Sequence, residues 1–122
     1  MLHWLPNDVK GARCVVAVLA SAKDRELPAR LDLLAGEIAA AGGQVVGTLV
    51  QRRGVSRAHG PGGARKMDAP LDPATVFGPG KVRELAELVA STSATLVVVA
   101  NPLKATQRAR LEDAIGCRIV SP

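Results

Sequence analysis

A glycine-rich turn is the first feature of this sequence that could do chemistry. Gly78-Pro79-Gly80-Lys81 directly precedes a segment with helical periodicity. The first N–H groups of a helix have no partner within the helix, and together with the helix dipole and a lysine they can hold a phosphate group. Gly78, Gly80 and Lys81 are therefore candidate phosphate- or nucleotide-binding residues. The alternative is a structural turn that only lets the chain enter the helix. The sequence contains no G-x-x-x-x-G-K-[ST] motif, since Val82 follows Lys81.

A cluster of basic residues precedes this turn. It contains no acidic residue and consists of Arg52, Arg53, Arg57, Arg65 and Lys66. The remaining 11 basic residues balance the 11 acidic ones, so this segment carries the whole net charge of +5. Concentrated positive charge attracts polyanions, and contacts of Arg and Lys with RNA phosphates do not depend on base sequence. The alternative is a solvated loop without a partner.

Aromatic residues are nearly absent. Trp4 and Phe77 are the only two, and there is no tyrosine. Single-strand RNA modules stack bases on aromatic side chains, so this chemistry is nearly excluded. We expect any RNA contact to be made to the backbone and to the shape of the nucleic acid.

A second basic group marks the start of a later predicted helix. Lys104 and Arg108 are spaced i, i+4 and share a helix face, with Arg110 nearby. If this face lies on the same side as the basic cluster, the two form one polyanion-binding patch. The alternative is a solvated helix face.

The sequence shows no catalytic or metal-binding constellation. His3 and His59 lie in segments without regular pattern, so neither has a predictable orienting partner. Asp24 and Glu26 follow the first predicted strand, at the edge where open α/β sheets bind ligands, but acidic residues that favour a helix dipole explain them more simply. We predict no catalytic residue, no metal and no required cofactor, which favours a protein that is not an enzyme.

Four short apolar runs alternate with amphipathic segments. The predicted strands are residues 14–20, 44–50, 95–100 and 117–120. Helical periodicity places on buried faces Leu27, Leu31, Leu34 and Ile38, then Val82, Leu85 and Val89, and finally Leu111 and Ile115. The order β-α-β-loop-α-β-α-β predicts a small three-layer α/β domain with a mainly parallel four-stranded sheet flanked by helices.

The length of 122 residues suits one domain. We assign residues 1–12 to an N-terminal extension and residues 13–122 to a single domain with a long basic loop at 52–72. No apolar run approaches the roughly 18 residues of a membrane helix, and the N-terminus lacks the apolar region of a signal peptide. We therefore expect a cytoplasmic protein without membrane contact. Cys14 and Cys117 border predicted buried strands, and we interpret both as reduced core thiols.

Several motifs resemble those of a known family. The segment from Asp72 to Leu85 resembles the signature P-x-T-[aromatic or aliphatic]-hydrophobic-G-x-G-K-x-x-E-L of the N-terminal domain of HflX-type ribosome-associated GTPases. Residues 46–52 are similar to the family's second strand with its trailing glutamine and basic residue. The family's helix motif L-S-P-x-Q-x-x-N-L-E-x-x-x-G falls on Leu103, Gln107, Leu111, Glu112 and Gly116. The resemblance covers roughly residues 13 to 120.

The chain also departs from the family pattern. Lys104-Ala105 replaces the Ser-Pro of the helix motif, and the loop from Gly54 to Ala69 is longer than the family implies. Family members continue from the last strand into a GTPase domain, whereas this sequence ends at Pro122. We therefore expect a stand-alone domain without GTPase activity.

The resemblance implies a domain placed on the large ribosomal subunit, and it adds a proposed affinity of this domain for nucleotide. The Ala-, Arg- and Gly-rich composition is compatible with a high-GC bacterium. Our leading hypothesis is a non-enzymatic binding module that contacts ribosomal RNA or another polyanion through the basic loop. The alternative is a domain that binds ATP, GTP or another small molecule at the turn from Gly78 to Lys81. This alternative includes an enzyme of a specialised bacterial pathway. A third hypothesis is a homo-oligomer or protein-interaction subunit that uses a strand edge or a helix face.

Overall fold

The structure, a computed structural model, describes residues 4–53 and 75–122. Its elements are a short 3-10 helix Asn7–Val9, then β1 (Arg13–Ser21), α1 (Leu27–Ala40), β2 (Gln44–Arg53), α2 (Pro79–Thr92), β3 (Leu96–Val99), α3 (Ala105–Ile115) and β4 (Ile119–Val120). The strands form one sheet in the order β2-β1-β3-β4.

All the pairings in this sheet are parallel. β1 pairs with β2 from Arg13↔Gln44 to Ser21↔Arg53, and β3 lies on its other side. β4 then pairs with β3. The predicted α/β fold is confirmed, because each strand is reached through a crossover that contains a helix, and such crossovers join parallel strands.

The sheet is covered on both faces, which explains the continuous apolar run of β1. Val15 and Ala17 point into a core formed with α2 and α3, where Phe77 and Leu111 are fully buried. Cys14 and Val16 point into the opposite core, which α1 closes. The helical periodicity of the sequence therefore identified the buried faces correctly: Leu27, Leu34, Ile38, Leu85, Val89, Leu111 and Ile115 are buried.

The segment before β1, which the sequence suggested to be an extension, packs on the domain. Val9 is 0% exposed, and Trp4 packs with it against the core on the α1 side. Asp8 forms an ion pair with Arg118, which precedes β4. Gly43 permits the close approach, because a Cβ at this position would lie 2.8 Å from Val9 Cγ1. The segment is short and has no periodicity, so its pattern did not indicate this contact.

β2 is longer than its apolar run. The strand continues through Arg52 and Arg53, which pair with Ala20 and Ser21 of β1. The sequence analysis predicted that these two arginines begin the loop, because the three residues directly after Val50 are polar. A strand next to a long partner can continue with polar residues, since the ladder hydrogen bonds involve only the backbone. Residues 54–72 of the predicted loop lie outside the described residues.

The thiols take the positions expected of core residues. Cys14 is buried and Cys117 is half-buried, and neither forms a disulfide. Burial raises the pKa of both thiols above the ordinary value, because it disfavours the thiolate. Both side chains are therefore weak nucleophiles near neutral pH.

The helices within residues 4–53 and 75–122 are short, and the longest have 14 residues. None of them is both long and apolar enough to cross a bilayer.

Candidate functional site

The parallel sheet brings most of the predicted site residues to one edge. Arg52 and Arg53 end β2, the turn from Gly78 to Lys81 begins α2, and Lys104 immediately precedes α3. In a parallel sheet every strand ends, and every following helix begins, at the carboxyl edge. The carboxyl edge is also where the described chain stops at Arg53 and resumes at Thr75.

The centre of this edge is the point where the direction of winding changes. From β1 the chain passes to β2 on one side, and it later returns to β3 on the other side of β1. Asn101, directly after β3, bridges the two central strands: the Leu19 N–H donates to its Oδ1 at 2.8 Å, and its Nδ2 donates to the Leu19 carbonyl at 2.8 Å. Ligands of open α/β sheets bind beside such switch points. In the sequence, Asn101 directly follows the predicted strand 95–100, and no local pattern indicated this bridge.

A pocket of about 480 Å³ lies over this switch point. It is lined by Leu19, Val76, Asn101, Pro102, Leu103, Lys104 and Gln107. Val76 has a φ of 75° although it is β-branched and buried. Such a conformation costs about 1–3 kcal/mol and persists only where the surrounding structure enforces it.

The glycine turn opens α2 as the sequence predicted. The Gly78 N–H donates to Gln51 Oε1 at 3.1 Å, and the Gly78 carbonyl accepts from the Val82 N–H at 3.0 Å. Pro79 has no N–H to offer. The N–H groups left at the start of the helix are those of Gly80 and Lys81, and a Cβ at Gly80 would meet no atom within 4 Å.

The lysine of this turn already has an acidic neighbour. Lys81 Nζ lies 2.8 Å from Glu84 Oε2, one turn along the helix. An exposed i, i+3 ion pair contributes only about 0.3 kcal/mol to stability. An incoming phosphate could therefore displace Glu84 from Lys81.

Arg52 supports the edge through main-chain contacts. Its Nη1 donates to the carbonyls of Ser21, Ala22 and Asp24 at 2.9, 3.3 and 3.1 Å. The Arg53 carbonyl accepts from the Ala22 N–H at 2.8 Å. The end of β2 therefore holds the β1–α1 loop in place, and replacement of Arg52 would disturb this loop as well as remove a charge.

Asp24 in this loop is neutralised locally. Its Oδ2 accepts from Arg30 Nη2 at 2.5 Å, and its Oδ1 accepts from the Glu26 N–H at 3.0 Å. The hydrogen bond from Arg30 is the main cause that lowers the pKa of Asp24 below its ordinary value. The carboxylate therefore holds the main chain just before α1 and pairs with a cation. Neither Asp24 nor Glu26 lies in the first turn of α1, which contains no acidic residue, so their interpretation as first-turn acids is wrong.

Lys104 and Arg108 lie at the start of α3 and are both exposed. The Lys104 N–H donates to Gln107 Oε1 at 2.9 Å, and this contact from the first turn back to the residue before α3 helps to fix where the helix begins. The other basic residues of the predicted polyanion site, Arg57, Arg65 and Lys66, lie outside the described residues.

Two further cations, which were not identified from the sequence, lie at the same edge. Lys23 and Arg25 are exposed in the β1–α1 loop, beside the end of β2. They alternate with Asp24 and Glu26, so a count of charge along the sequence cancels them. The signal that could have revealed them is their position directly after the first strand.

Within the described ranges, no three His, Cys, Asp or Glu side chains come together as a metal site would require. His3 and His59 both lie outside those ranges. The groups that the described edge offers to a ligand are therefore cationic side chains and backbone N–H groups.

Known proteins share sequence similarity with most of this chain. The family model described as "GTP-binding GTPase N-terminal" matches residues 62–121. The GTPase HflX of Caldanaerobacter subterraneus subsp. tengcongensis is 35% identical over 107 residues, which are 87% of this chain and 21% of that protein. The chain thus spans about a fifth of the length of this curated relative. With its four parallel strands, and with its resemblance to HflX over most of its length, the chain belongs to the family of GTP-binding GTPase N-terminal domains.

Proposed function

We propose that this chain is a non-enzymatic binding module that contacts ribosomal RNA, or a polyanion of similar chemistry, through the carboxyl edge of its sheet. The observation that carries the proposal is the convergence of separate basic groups on that edge. The end of β2, the β1–α1 loop and the start of α3 all contribute cations there, and the other three cations of the basic cluster, Arg57, Arg65 and Lys66, follow Arg53 in the sequence. The similarity to a GTPase called HflX supports a role in the same cellular system.

The local balance of charge favours an anionic ligand. Of the acidic residues near this edge, Asp24 pairs with Arg30 and Glu84 pairs with Lys81, and Glu26 is the one that forms no ion pair with a described residue. Lys104 and Arg108 form no ion pair with any residue in the described part of the chain. Unpaired cations on one surface release counterions when they meet phosphates, which is the main source of affinity in sequence-independent RNA binding.

The test is the salt dependence of binding to a fluorescein-labelled ribosomal RNA hairpin, followed by fluorescence anisotropy. The double variant Lys104→Ser/Arg108→Ser should bind about tenfold more weakly at low salt. The slope of log K against log salt is negative, and its magnitude should decrease by roughly 1.4–1.8 for two lost phosphate contacts. Arg52 is kept, because its contacts with three carbonyls support the fold.

The matched control is Lys10→Ser/Arg118→Ser. These residues precede β1 and β4, at the amino edge, and their loss changes the net charge by the same amount. The control also removes the Asp8–Arg118 ion pair, but both side chains of this pair are exposed, so its loss costs at most about 1 kcal/mol of stability. Affinity and salt slope in this control should stay close to those of the unmodified protein. Equal losses in both double variants would mean that only net charge matters, and would contradict a binding edge.

A nucleotide is the second candidate ligand, favoured by the open space at Gly80 and the two remaining N–H groups of the α2 start. The engaged Gly78 N–H and the Lys81–Glu84 pair weigh against it. Saturable binding of ATP or GTP that is abolished in Lys81→Ala, with no salt-dependent RNA binding, would replace the first proposal by this one.

A further inference from the structure

The two outer edges of the sheet differ. β4 has two residues, and its pairing with β3 through the Arg118 carbonyl turns the Ile119 N–H outward. Glu112 Oε2 accepts from this outward N–H at 2.9 Å, so the edge is closed. β2, by contrast, has 10 residues and no strand of the described chain beside its outer edge. Unpaired edges of this length are templates for pairing with another chain.

The hydrogen bonds of β2 show which groups are free. The Arg53 carbonyl accepts from the Ala22 N–H, so the backbone groups of Arg53 face β1. Because these directions alternate along a strand, the N–H and C=O groups of Thr48, Val50 and Arg52 face outward. Within residues 4–53 and 75–122, the backbone groups of Thr48 and Val50 have no partner across this edge.

A register shift between Cys14 and Val15 interrupts the β1–β2 ladder, and the pairing is regular from Gly47 to Arg53. Bulges commonly limit how far an edge can pair. The usable edge is therefore its carboxyl-terminal part, which suits a short extended segment.

Two grooves flank this part of the edge. On the α1 side, a groove of about 530 Å³ has a largely apolar lining: Leu27, Pro28, Leu31, Asp32, Ala35, Thr48, Val50 and Arg52. On the α2 side, a groove of about 590 Å³ contains two carboxylates: its lining is Thr48, Leu49, Val50, Lys81, Glu84, Glu87, Leu88 and Ser91. Both grooves include Thr48 and Val50, so they meet at the outward backbone groups.

These features determine what kind of chain would fit. Side chains of an added strand point alternately to the two faces of the sheet, so one set would enter the apolar groove and the other the acidic groove. Glu87 forms no ion pair with a described residue, whereas Glu84 forms an ion pair with Lys81. We propose that the outer edge of β2 binds an extended segment of a partner protein in which apolar side chains alternate with Lys or Arg.

A second copy of this chain is a poorer fit for the same edge. Antiparallel pairing of two β2 strands about a two-fold axis keeps both α2 helices on one side of the joined sheet. Glu84 and Glu87 of one copy would then lie on the same side of the joined sheet as Glu84 and Glu87 of the other copy. Like charges that face each other across paired strands are destabilising, whereas a basic segment complements them.

The test uses a fluorescein-labelled octapeptide in which valine alternates with lysine, and measures its affinity for the full chain by fluorescence anisotropy. Val50→Pro removes an outward N–H without removing a β1–β2 hydrogen bond, and should weaken binding about fivefold or more. Glu87→Lys should weaken binding by about the same factor and should improve binding of an otherwise identical valine–glutamate peptide. Asp113→Lys, on the exposed surface of α3, is the matched control and should change neither affinity.

A backbone-methylated form of the valine–lysine peptide provides a test that needs no folded variant. Methylation of the N–H groups that would pair with β2 should weaken binding about fivefold or more. Absence of peptide binding, or equal affinity of the methylated and unmethylated peptides, would overturn the proposal. Reversible dimerisation that disappears in Val50→Pro would overturn the choice of partner and assign the edge to a second copy.

Discussion

Replacing Phe77 by alanine should lower the free energy of unfolding by about 3–5 kcal/mol, which is the usual cost of emptying a phenylalanine site in a core. Phe77 is 0% exposed and belongs to the core that the sheet forms with α2 and α3. A domain of this size has only about 5–15 kcal/mol of stability, so much of it depends on this one side chain. Urea denaturation followed by circular dichroism measures the effect.

Phe77→Leu is the control, because it keeps most of the buried volume, and it should cost less than about half as much. Phe77 also lies in the segment that leads into α2, where Val76 has a positive φ and Thr75 Oγ1 donates to the Phe77 carbonyl at 3.0 Å. The ring therefore anchors this segment to the core. A loss below about 1 kcal/mol in Phe77→Ala would mean that the ring is not packed as the structure has it.

Replacing Asn101 by alanine should lower the free energy of unfolding by about 2–3 kcal/mol, since two partly buried main-chain groups of Leu19 lose their partner. Asn101→Asp keeps the acceptor for the Leu19 N–H but loses the donor to the Leu19 carbonyl, so it should be destabilising at neutral pH as well. The measurement combines urea denaturation with amide hydrogen exchange at Leu19, which should be faster in the alanine variant.

Amide exchange distinguishes this effect from general destabilisation. Faster exchange in Asn101→Ala should be largest at Leu19 and small in α1, because the hydrogen bonds of the Asn101 side chain are made to Leu19. A uniform increase across the domain, or unchanged exchange at Leu19, would argue against the bridge between β1 and β3 at the switch point.

The fold was accessible from the sequence because local patterns are its direct cause. The run from Cys14 to Ala20 is continuously apolar because both faces of β1 are covered. The heptad-like spacing of Leu27, Leu34 and Ile38 likewise reflects burial along one side of α1. Such patterns are properties of consecutive residues, so they can be recognised without knowledge of the tertiary structure.

The details of the candidate site could not be predicted, because they depend on contacts between distant residues. Asn101 and Leu19 are 82 positions apart, and Arg52 contacts the β1–α1 loop about 30 positions earlier. The packing of Trp4 and Val9 likewise depends on the position of α1 in space. Polar residues have several local interpretations, such as a strand end or a solvated charge, and only the fold decides between them.

The convergence of basic residues lies between these two cases. The sequence identified Lys104 and Arg108 and left open whether they share a side with Arg52 and Arg53. The all-parallel sheet puts the end of β2 and the start of α3 at the same edge. Lys23 and Arg25 add to this edge, although the acidic residues between them conceal their charge in the sequence.

Sedimentation with purified large ribosomal subunits, at low and at moderate salt, tests the proposed function most directly. It compares the unmodified chain with Lys104→Ser/Arg108→Ser, with Arg57→Ser/Arg65→Ser/Lys66→Ser, and with the amino-edge control Lys10→Ser/Arg118→Ser. We expect the unmodified chain and the control to sediment with the subunit at low salt, and the two variants that lose predicted polyanion-binding cations to remain largely in the supernatant. Absence of co-sedimentation at either salt, or equal binding of all the variants, would contradict it.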